Sequence, residues 1–149
     1  RNNAVFGSQV YYPIVFAQFS PDMVHDYTPA GYDKDPLAIN KYTGHWVHYG
    51  YGMMCVYKQD YAAVGGYNLT IQGWGGEDVD IFLQHTKSHL RVFRAMDPGL
   101  IHIYHKKHCR SSLSAKQYKM CTDSNSEGLG NVSQLFRHIM NLTERFNEE

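Results

Sequence analysis

The chain has 149 residues, 43% of them hydrophobic, which suits one domain with a sizeable core. Its 14 Lys and Arg balance 14 Asp and Glu, so no net field would attract nucleic acid or an anionic membrane, and we expect no nucleic-acid partner. The sequence has neither an apolar run long enough to span a membrane nor the pattern of a signal peptide at its start.

Three sequons nevertheless point to the secretory route. They begin at Asn68, Asn131 and Asn141, and N-glycosylation is confined to chains that enter that route. Because a secretory interior without its own targeting segment is typical of a fragment, we interpret residues 1–149 as a single partial domain. Its membrane anchor would then lie outside this sequence.

The three cysteines do not have the spacing of a zinc site, since Cys109 and Cys121 are too far apart for a Cys-x-x-Cys pair. We interpret them as a disulfide between Cys109 and Cys121, with Cys55 buried and free. Spacing by itself establishes no pairing.

The first half of the chain predicts a strand, a loop, a strand and a helix. The β-branched and aromatic run at 10–17 indicates a buried strand interrupted at its edge by Pro13. Residues 20–40 lack periodicity and predict a long surface loop. The glycine-rich start of 49–57 indicates a strand that passes close to a ligand or another backbone, and 58–64 predicts a short helix.

The second half predicts two helices around two strands. A helix from about 77 to 89 should begin at the acidic cluster and bury one apolar face. That face would comprise Val79, Phe82, Leu83, Thr86 and Leu90, with Gln84, His85, Lys87 and Ser88 largely outside. Strands follow at 90–93 and 99–104, then a turn-rich stretch at 111–130. Asn131 would cap a last amphipathic helix, with Asn141 on its polar face, and the alternation predicts an α/β fold.

The sharpest chemical feature is the segment GWGGEDVD at 73–80. A carboxylate at a helix N-terminus is kept ionised by the helix dipole and by free N–H groups, which suits it to accept a proton from a sugar hydroxyl. Asp78 is the candidate general base. The alternative is an acidic first turn that only caps its helix, with Trp74 as a hydrophobic staple.

Two histidines form a second feature, at the end of the last predicted strand. His102 and His105 lie three residues apart and would point to opposite faces of a strand unless the strand ends between them. His105 could bind a divalent metal, whereas His102 could equally be a core residue.

Aromatic residues beside glycines form the third feature. Tyr49 and Tyr51 flank Gly50 and could stack on a uridine or a sugar. They could equally belong to the core.

Five segments together resemble the chondroitin sulfate N-acetylgalactosaminyltransferases, and the likeness extends over nearly the whole chain. They are KYTGHW (41–46), YGYG (49–52), GGY (65–67), GWGGEDVD (73–80) and QYKMC (117–121). The Trp-Gly-Gly-Glu-Asp core followed by a strand ending in histidine is also similar to β-1,4-galactosyltransferases and chondroitin synthases. The resemblance implies the C-terminal, acceptor-side half of a GT-A glycosyltransferase domain, with a mixed sheet flanked by helices.

The resemblance also implies roles for single residues. Asp78 matches the catalytic base and His105 a manganese ligand, while His102 falls where related enzymes place a metal-contacting methionine. The residues that match sugar-binding positions are Trp74, Glu77 and the pair Gly75 and Gly76.

Two departures from the family pattern stand beside these matches. No Asp-x-Asp motif precedes Val10, so the donor-binding half is expected upstream. His45 and Val47 replace an aromatic residue and an arginine around Trp46, which puts the fine acceptor specificity in question.

The function that this resemblance implies is a Golgi-lumen, Mn²⁺-dependent inverting transferase. It would move GalNAc from UDP-GalNAc to a terminal glucuronic acid of a glycosaminoglycan or proteoglycan linkage-region acceptor, in a β-1,4 linkage. The alternatives are a chondroitin synthase or β-1,4-galactosyltransferase with another donor, a non-catalytic polymerisation-assisting subunit, and a secreted α/β domain whose motif is coincidental.

Overall fold

A computed structural model of the chain describes residues 2–146. Three strands form one mixed sheet in the order β2-β1-β3, and helices flank it, so the prediction of an α/β fold of this kind is confirmed. The elements in chain order are β1 (Gln9–Gln18), α1 (Pro21–Tyr27), β2 (Gly44–Trp46), α2 (Lys58–Ala63), α3 (Glu77–Lys87), β3 (Arg91–His102), α4 (Ala115–Ser126) and α5 (Val132–Phe146).

The central strand β1 pairs antiparallel with β2 and parallel with β3, and the strand predicted at 10–17 is confirmed. Pro13 was expected at an edge but lies in the middle of this strand. Tyr11 pairs with Cys55 through both of its backbone groups, and Val15 accepts from Val47 N on the same side. Pro13 lies on the same side of the strand, between these two contacts. No backbone N–H donor is required at that position.

One strand, β3, replaces the two that were predicted at 90–93 and 99–104. Ile14 and Phe16 of β1 lie opposite Met96 and Ile101, so the stretch between Met96 and Ile101 contains a bulge. The Pro98-Gly99 pair looks like a strand break in the sequence. In the fold the bulge accommodates it and pairing resumes beyond it.

The helix predicted from the acidic cluster is confirmed as α3, and its buried face was predicted correctly in part, since Phe82 packs against the core cluster and Leu90 is buried. Ile81 and His85 are fully buried, whereas Val79 and Leu83 are 40% and 45% exposed. His85 Nδ1 lies 2.8 Å from the Tyr12 hydroxyl and 2.9 Å from Ile81 O. These polar contacts allow an imidazole to occupy the core position that the hydrophobic pattern assigned to apolar side chains.

Two segments predicted without helices contain them. Helix α1 lies inside 20–40, where Pro21 at its first position starts the helix without needing an N–H partner. Helix α4 lies inside 111–130 and begins with a capping box between Ser114 and Gln117. The short polar side chains of α4 hide its helical period in the sequence.

The strand predicted at 49–57 is absent from the described fold, where Cys55 makes only an isolated bridge to Tyr11. Arg94 of β3 instead donates from Nη2 to Gly50 O at 2.8 Å and holds the glycine-rich segment in an open conformation. The short helix predicted at 58–64 is confirmed as α2, and Gly65 and Gly66 follow it with positive φ.

The last predicted helix is confirmed as α5. Asn131 caps it, since its Oδ1 accepts from Gln134 N at 3.0 Å, and Asn141 is exposed. Gln134 is fully buried and donates to Met23 O and Tyr42 O, so a polar anchor attaches α5 to α1. Most apolar side chains of α5 are exposed, among them Val132 and Phe136, and the side chain of Phe146 lies outside the described residues.

The cysteines pair as we interpreted them: Cys109 and Cys121 form a disulfide, and Cys55 is free but only half-buried. Among residues 2–146 we find no helix whose length and apolar character would allow it to cross a membrane.

The buried histidine predicts an acid-sensitive fold. Burial lowers the pKa of His85 from 6.5, so the unfolded chain binds a proton at a higher pH than the folded chain does. The free energy of unfolding should therefore stay constant above pH 6.5 and decrease as the pH falls below that value. We expect His85→Gln to reduce this decrease by about 1 kcal/mol in urea titrations between pH 7 and 5. Equal pH slopes in the two proteins would contradict the assignment.

Candidate active site

A cavity of about 450 Å³, here called the site cavity, lies along one face of β1 near the carboxyl ends of β1 and β3. Pro13, Val15 and Ala17 line it, whereas Val10 and Tyr12 belong to the core. This is the period-two alternation of a strand. The carboxyl ends of parallel strands are where open α/β sheets bind ligands.

Three of the predicted residues line the site cavity together: Asp78, His102 and His105. Asp78 comes from the first turn of α3, and the histidines come from the end of β3 and the segment after it. The fold thus brings a carboxylate and two imidazoles from separate parts of the sequence to one opening.

The glycine-rich segment before α3 determines where Asp78 lies. Gly73, Gly75 and Gly76 have φ values of +96°, +74° and +103°, which side chains with a Cβ rarely adopt. Gly76 occupies the N-cap position without a capping side chain, and the first turn is acidic. Asp78 is half-buried, and its Oδ1 accepts from Val79 N at 2.8 Å.

The two histidines share the site cavity because β3 ends at His102. Their ring centroids are 5.4 Å apart. His102 is half-buried and His105 exposed. Burial first, and then the positive charges of His105 and Lys107, lower the pKa of His102, so its imidazole is neutral at neutral pH.

This pair fits a metal site in part. Ring nitrogens that bind one ion at about 2.1 Å place their ring centres about 5 Å apart, close to the observed separation. A neutral imidazole is also the ligand form. Within residues 2–146, however, no three His, Cys, Asp or Glu side chains are grouped to hold an ion. An ion held by this pair would need further ligands, such as the carboxylates that Mn²⁺ prefers.

The other predicted sugar-binding residues lie around the site cavity and do not line it. Trp74 is 37% exposed, Glu77 is exposed, and both are close to Asp78 in sequence, as are Gly75 and Gly76. Tyr49 is 55% exposed. Tyr51 stacks on Phe82 at 3.9 Å and packs against the core cluster.

The fold adds three charged or titratable residues that sequence reasoning did not select: His45, Lys107 and Glu127. Glu127 lies beside the Tyr49 hydroxyl and, after burial, raises its pKa. Burial lowers the pKa of His45, whose Nδ1 has no hydrogen-bond partner among the described residues. Lys107 stands in the polar stretch after β3, which was a usable signal, whereas Glu127 follows α4, a helix that the sequence pattern did not predict.

The three sequons differ in their surroundings. Asn68 and Asn141 are exposed. Asn131 is half-buried, and its Nδ2 donates to Lys41 O at 2.8 Å while its Oδ1 caps α5.

The glycine segment yields a matched pair of substitutions. A Cβ on Gly73 would lie 2.7 Å from Gln117 Nε2, which donates to Gln72 O, whereas a Cβ on Gly31, at φ +89°, would meet nothing within 4 Å. Gly31→Ala should lower the free energy of unfolding by about 1 kcal/mol through backbone strain alone. Gly73→Ala should cost about 1 kcal/mol more, because it also displaces the Gln117 bond. If both variants lose the same free energy of unfolding in urea, the packing of Gly73 against Gln117 contributes nothing to stability.

Comparisons with known proteins identify the family of this chain. Residues 1–135 match the family described as chondroitin N-acetylgalactosaminyltransferase. The whole chain is 44% identical to chondroitin sulfate synthase 3 of Mus musculus, covering 16% of that protein. It is 40% identical over 145 residues to chondroitin sulfate N-acetylgalactosaminyltransferase 1 of Mus musculus, covering 93% of this chain and 27% of the relative.

A more distant relative is chondroitin sulfate glucuronyltransferase of Homo sapiens, 31% identical over 154 residues, with 91% of this chain and 20% of the relative covered. The chain therefore spans between 16% and 27% of the length of these three relatives. No solved structure matches it. The family match and the mixed sheet flanked by helices are consistent with part of a GT-A domain. The chain belongs to the chondroitin N-acetylgalactosaminyltransferase family.

Proposed function

We propose that this chain is the acceptor-side half of an inverting glycosyltransferase site that transfers GalNAc from UDP-GalNAc to a terminal glucuronic acid, forming a β-1,4 linkage. The observation that carries the proposal is that Asp78, His102 and His105 open onto one cavity at the carboxyl ends of β1 and β3. A carboxylate and two imidazoles in one cavity suit a reaction that removes a proton and releases an anion.

The reaction is a single displacement. A carboxylate oxygen of Asp78 takes the proton of the acceptor hydroxyl, and the oxygen left behind attacks the anomeric carbon of the donor sugar. The bond from that carbon to the diphosphate breaks on the opposite face, and its electrons leave with uridine diphosphate. The configuration inverts, so an α-linked donor yields a β-glycoside. Holding both reactants in line supplies much of the acceleration.

Mn²⁺ is the proposed cofactor, and His105 and His102 are its proposed ligands from this chain. When bound, the ion would neutralise the charge that develops on the departing diphosphate. Lys107 lines the same cavity and donates from Nζ to Ser124 O at 3.0 Å, so its charge is held at this end. A fixed cation there stabilises an anionic group without reorganisation.

The acceptor would approach from the side of Trp74 and Glu77. An exposed indole offers a face for a sugar ring, and a carboxylate accepts hydrogen bonds from sugar hydroxyls. The left-handed glycines Gly75 and Gly76 keep this segment close to Asp78. Tyr49 is the more accessible of the two tyrosines proposed for stacking, because Tyr51 already stacks on Phe82.

We propose a location in the Golgi lumen, with a UDP-sugar and a glycosaminoglycan or linkage-region chain as substrates. Asn68 and Asn141 are the sequons whose side chains are exposed for N-glycosylation, whereas a glycan on Asn131 would compete with the contact to Lys41. Glycosylation of the first two requires a secretory location.

A second candidate is a chondroitin synthase with another donor, which the identity to chondroitin sulfate synthase 3 favours. A non-catalytic, polymerisation-assisting subunit is the remaining alternative. The test uses the complete open reading frame that encodes this chain. UDP-GalNAc, UDP-Gal and UDP-glucuronate are each paired with glucuronate-ended and hexosamine-ended oligosaccharides. GalNAc transfer to glucuronate supports the proposal, preference for another pair changes the donor, and no transfer from any pair favours the subunit.

Replacing the base should abolish transfer without unfolding the protein. We expect Asp78→Asn to reduce kcat by about 100-fold to 10,000-fold, the usual contribution of general-base catalysis. Asp80→Asn is the matched control, since Asp80 lies in the same helical turn, does not line the site cavity and accepts from Gln84 Nε2 at 2.6 Å. Rates of sugar transfer and circular dichroism are measured for both proteins. Comparable activity in the two variants would exclude Asp78 as the base.

Removing a histidine should weaken metal binding. In His105→Ala we expect the Mn²⁺ concentration for half-maximal binding, measured by titration calorimetry, to rise at least about tenfold because one ligand is lost. His108→Ala is the control, because His108 is exposed and does not line the site cavity. An unchanged Mn²⁺ affinity in His105→Ala would remove His105 from the ligand set.

A further inference from the structure

A second cavity, of about 590 Å³, adjoins the site cavity and is here called the bulge cavity. The two share Pro13, Gly52 and Met53 as walls. Tyr11 and Pro13 line the bulge cavity, and Pro13, Val15 and Ala17 line the site cavity. The two cavities therefore follow one another along the same face of β1, over about 20 Å of strand from Tyr11 to Ala17.

The bulge in β3 builds the far wall of this cavity. Asp97, Gly99 and Leu100 belong to the bulge and line the cavity. Asp97 Oδ1 accepts from Gly99 N at 3.0 Å, and Oδ2 accepts from the Tyr11 hydroxyl at 3.2 Å. The carboxylate is held in place by these two bonds and retains lone pairs for a ligand. Bulges beside functional sites commonly re-aim side chains in this way.

The direction of the bulge cavity agrees with the stereochemistry of the proposed displacement. Attack occurs on the face opposite the leaving diphosphate, so the acceptor extends from Asp78 away from the histidines. His102 lies opposite Ala17, whereas the bulge cavity lies at Tyr11 and includes neither histidine. Tyr67 lines the bulge cavity and is close enough to Glu77 and Asp78 that their charges raise its pKa, after burial and the charge of Tyr61.

The side chains of the bulge cavity suit a neutral sugar. Asp97 and the Tyr11 hydroxyl offer hydrogen-bonding groups for sugar hydroxyls, while Met53 and Leu100 offer apolar contact for a ring face. A uronate carboxylate would be repelled by Asp97, and among the cavity's walls there is no Lys, Arg or His to offset that repulsion. The cation Lys107 lines the site cavity instead.

We propose that the bulge cavity binds the penultimate sugar of the acceptor chain, an uncharged one, while the terminal uronate occupies the site cavity. The assignment rests on the proposed function for the identity of the terminal residue. It makes the acceptor a chain of at least two sugars, recognised through alternating charge, and it makes Asp97 and Leu100 determinants of acceptor length.

The test compares two uronate-ended probes that differ by this one sugar. Methyl β-glucuronide occupies the site cavity alone, and the glucuronyl-N-acetylgalactosamine disaccharide occupies both cavities. Binding to the protein from the complete open reading frame is measured by titration calorimetry with uridine diphosphate and Mn²⁺, so that no transfer occurs. We expect the disaccharide to bind about tenfold more tightly, the gain that one hydrogen bond to a charged group supplies.

Two variants change the bulge cavity, and a third serves as a control. Leu100→Trp fills the cavity and should remove the advantage of the disaccharide, leaving the monosaccharide affinity unchanged. Asp97→Asn keeps the size and one acceptor oxygen of the side chain, and it should reduce the advantage about fivefold. Met96→Trp is the control, because Met96 precedes Asp97, is 55% exposed and lines neither cavity.

The subsite is supported if the tighter binding of the disaccharide is lost in Leu100→Trp and Asp97→Asn and kept in Met96→Trp. An advantage that survives in both variants, or a wild-type protein with no preference for the disaccharide, overturns it. GalNAc transfer to the monosaccharide, measured in parallel, reports on the proposed function separately. GalNAc transfer without a preference for the disaccharide would exclude the subsite and support the proposed function. A preference for the disaccharide without transfer would support the subsite and exclude the proposed function.

Discussion

The parallel pairing of β1 with β3 is the contact on which the rest of this structure depends. It buries β1 between two neighbours and sets His102 opposite Ala17. One face of β1 then supplies the floor of both cavities, while Tyr12 on the other face holds α3 through its contact with His85. The strand thus joins the core to the site, and a shift of one residue in its register would exchange the two faces.

The glycine-rich segment before α3 is the second constraint, and it connects the site to the disulfide-bonded helix α4. Gln117 of α4 donates to Gln72 O, and Met120 lies within 3.5 Å of the place where a Cβ on Gly75 would stand. Cys121, in the same helix, is tied to Cys109 in the segment after β3. The disulfide therefore fixes the helix that contacts the glycine-rich segment before Asp78, and it also restrains the chain that carries His105.

Local chemistry in the sequence was enough to select three residues that line the site cavity, Asp78, His102 and His105, because helix-start acids and a histidine-ended apolar run are visible without tertiary contacts. It was not enough to place α4, whose short polar side chains lack a clear helical period, and so Glu127 was missed. His85 was wrongly placed outside the buried face of α3 because it is polar, and only the contact with Tyr12 shows why it is buried. The Pro98-Gly99 pair looks like a strand break, and pairing with β1 explains its place in a bulge.

The central claim is that both histidines act on the donor diphosphate in the cavity that Asp78 lines. Its most direct test is an anomalous difference map from crystals of the full-length protein with Mn²⁺ and uridine diphosphate. The account predicts a manganese peak bonded to ring nitrogens of His102 and His105, with the diphosphate inside the same cavity. A manganese peak bonded to neither histidine, with the diphosphate outside that cavity, would contradict it.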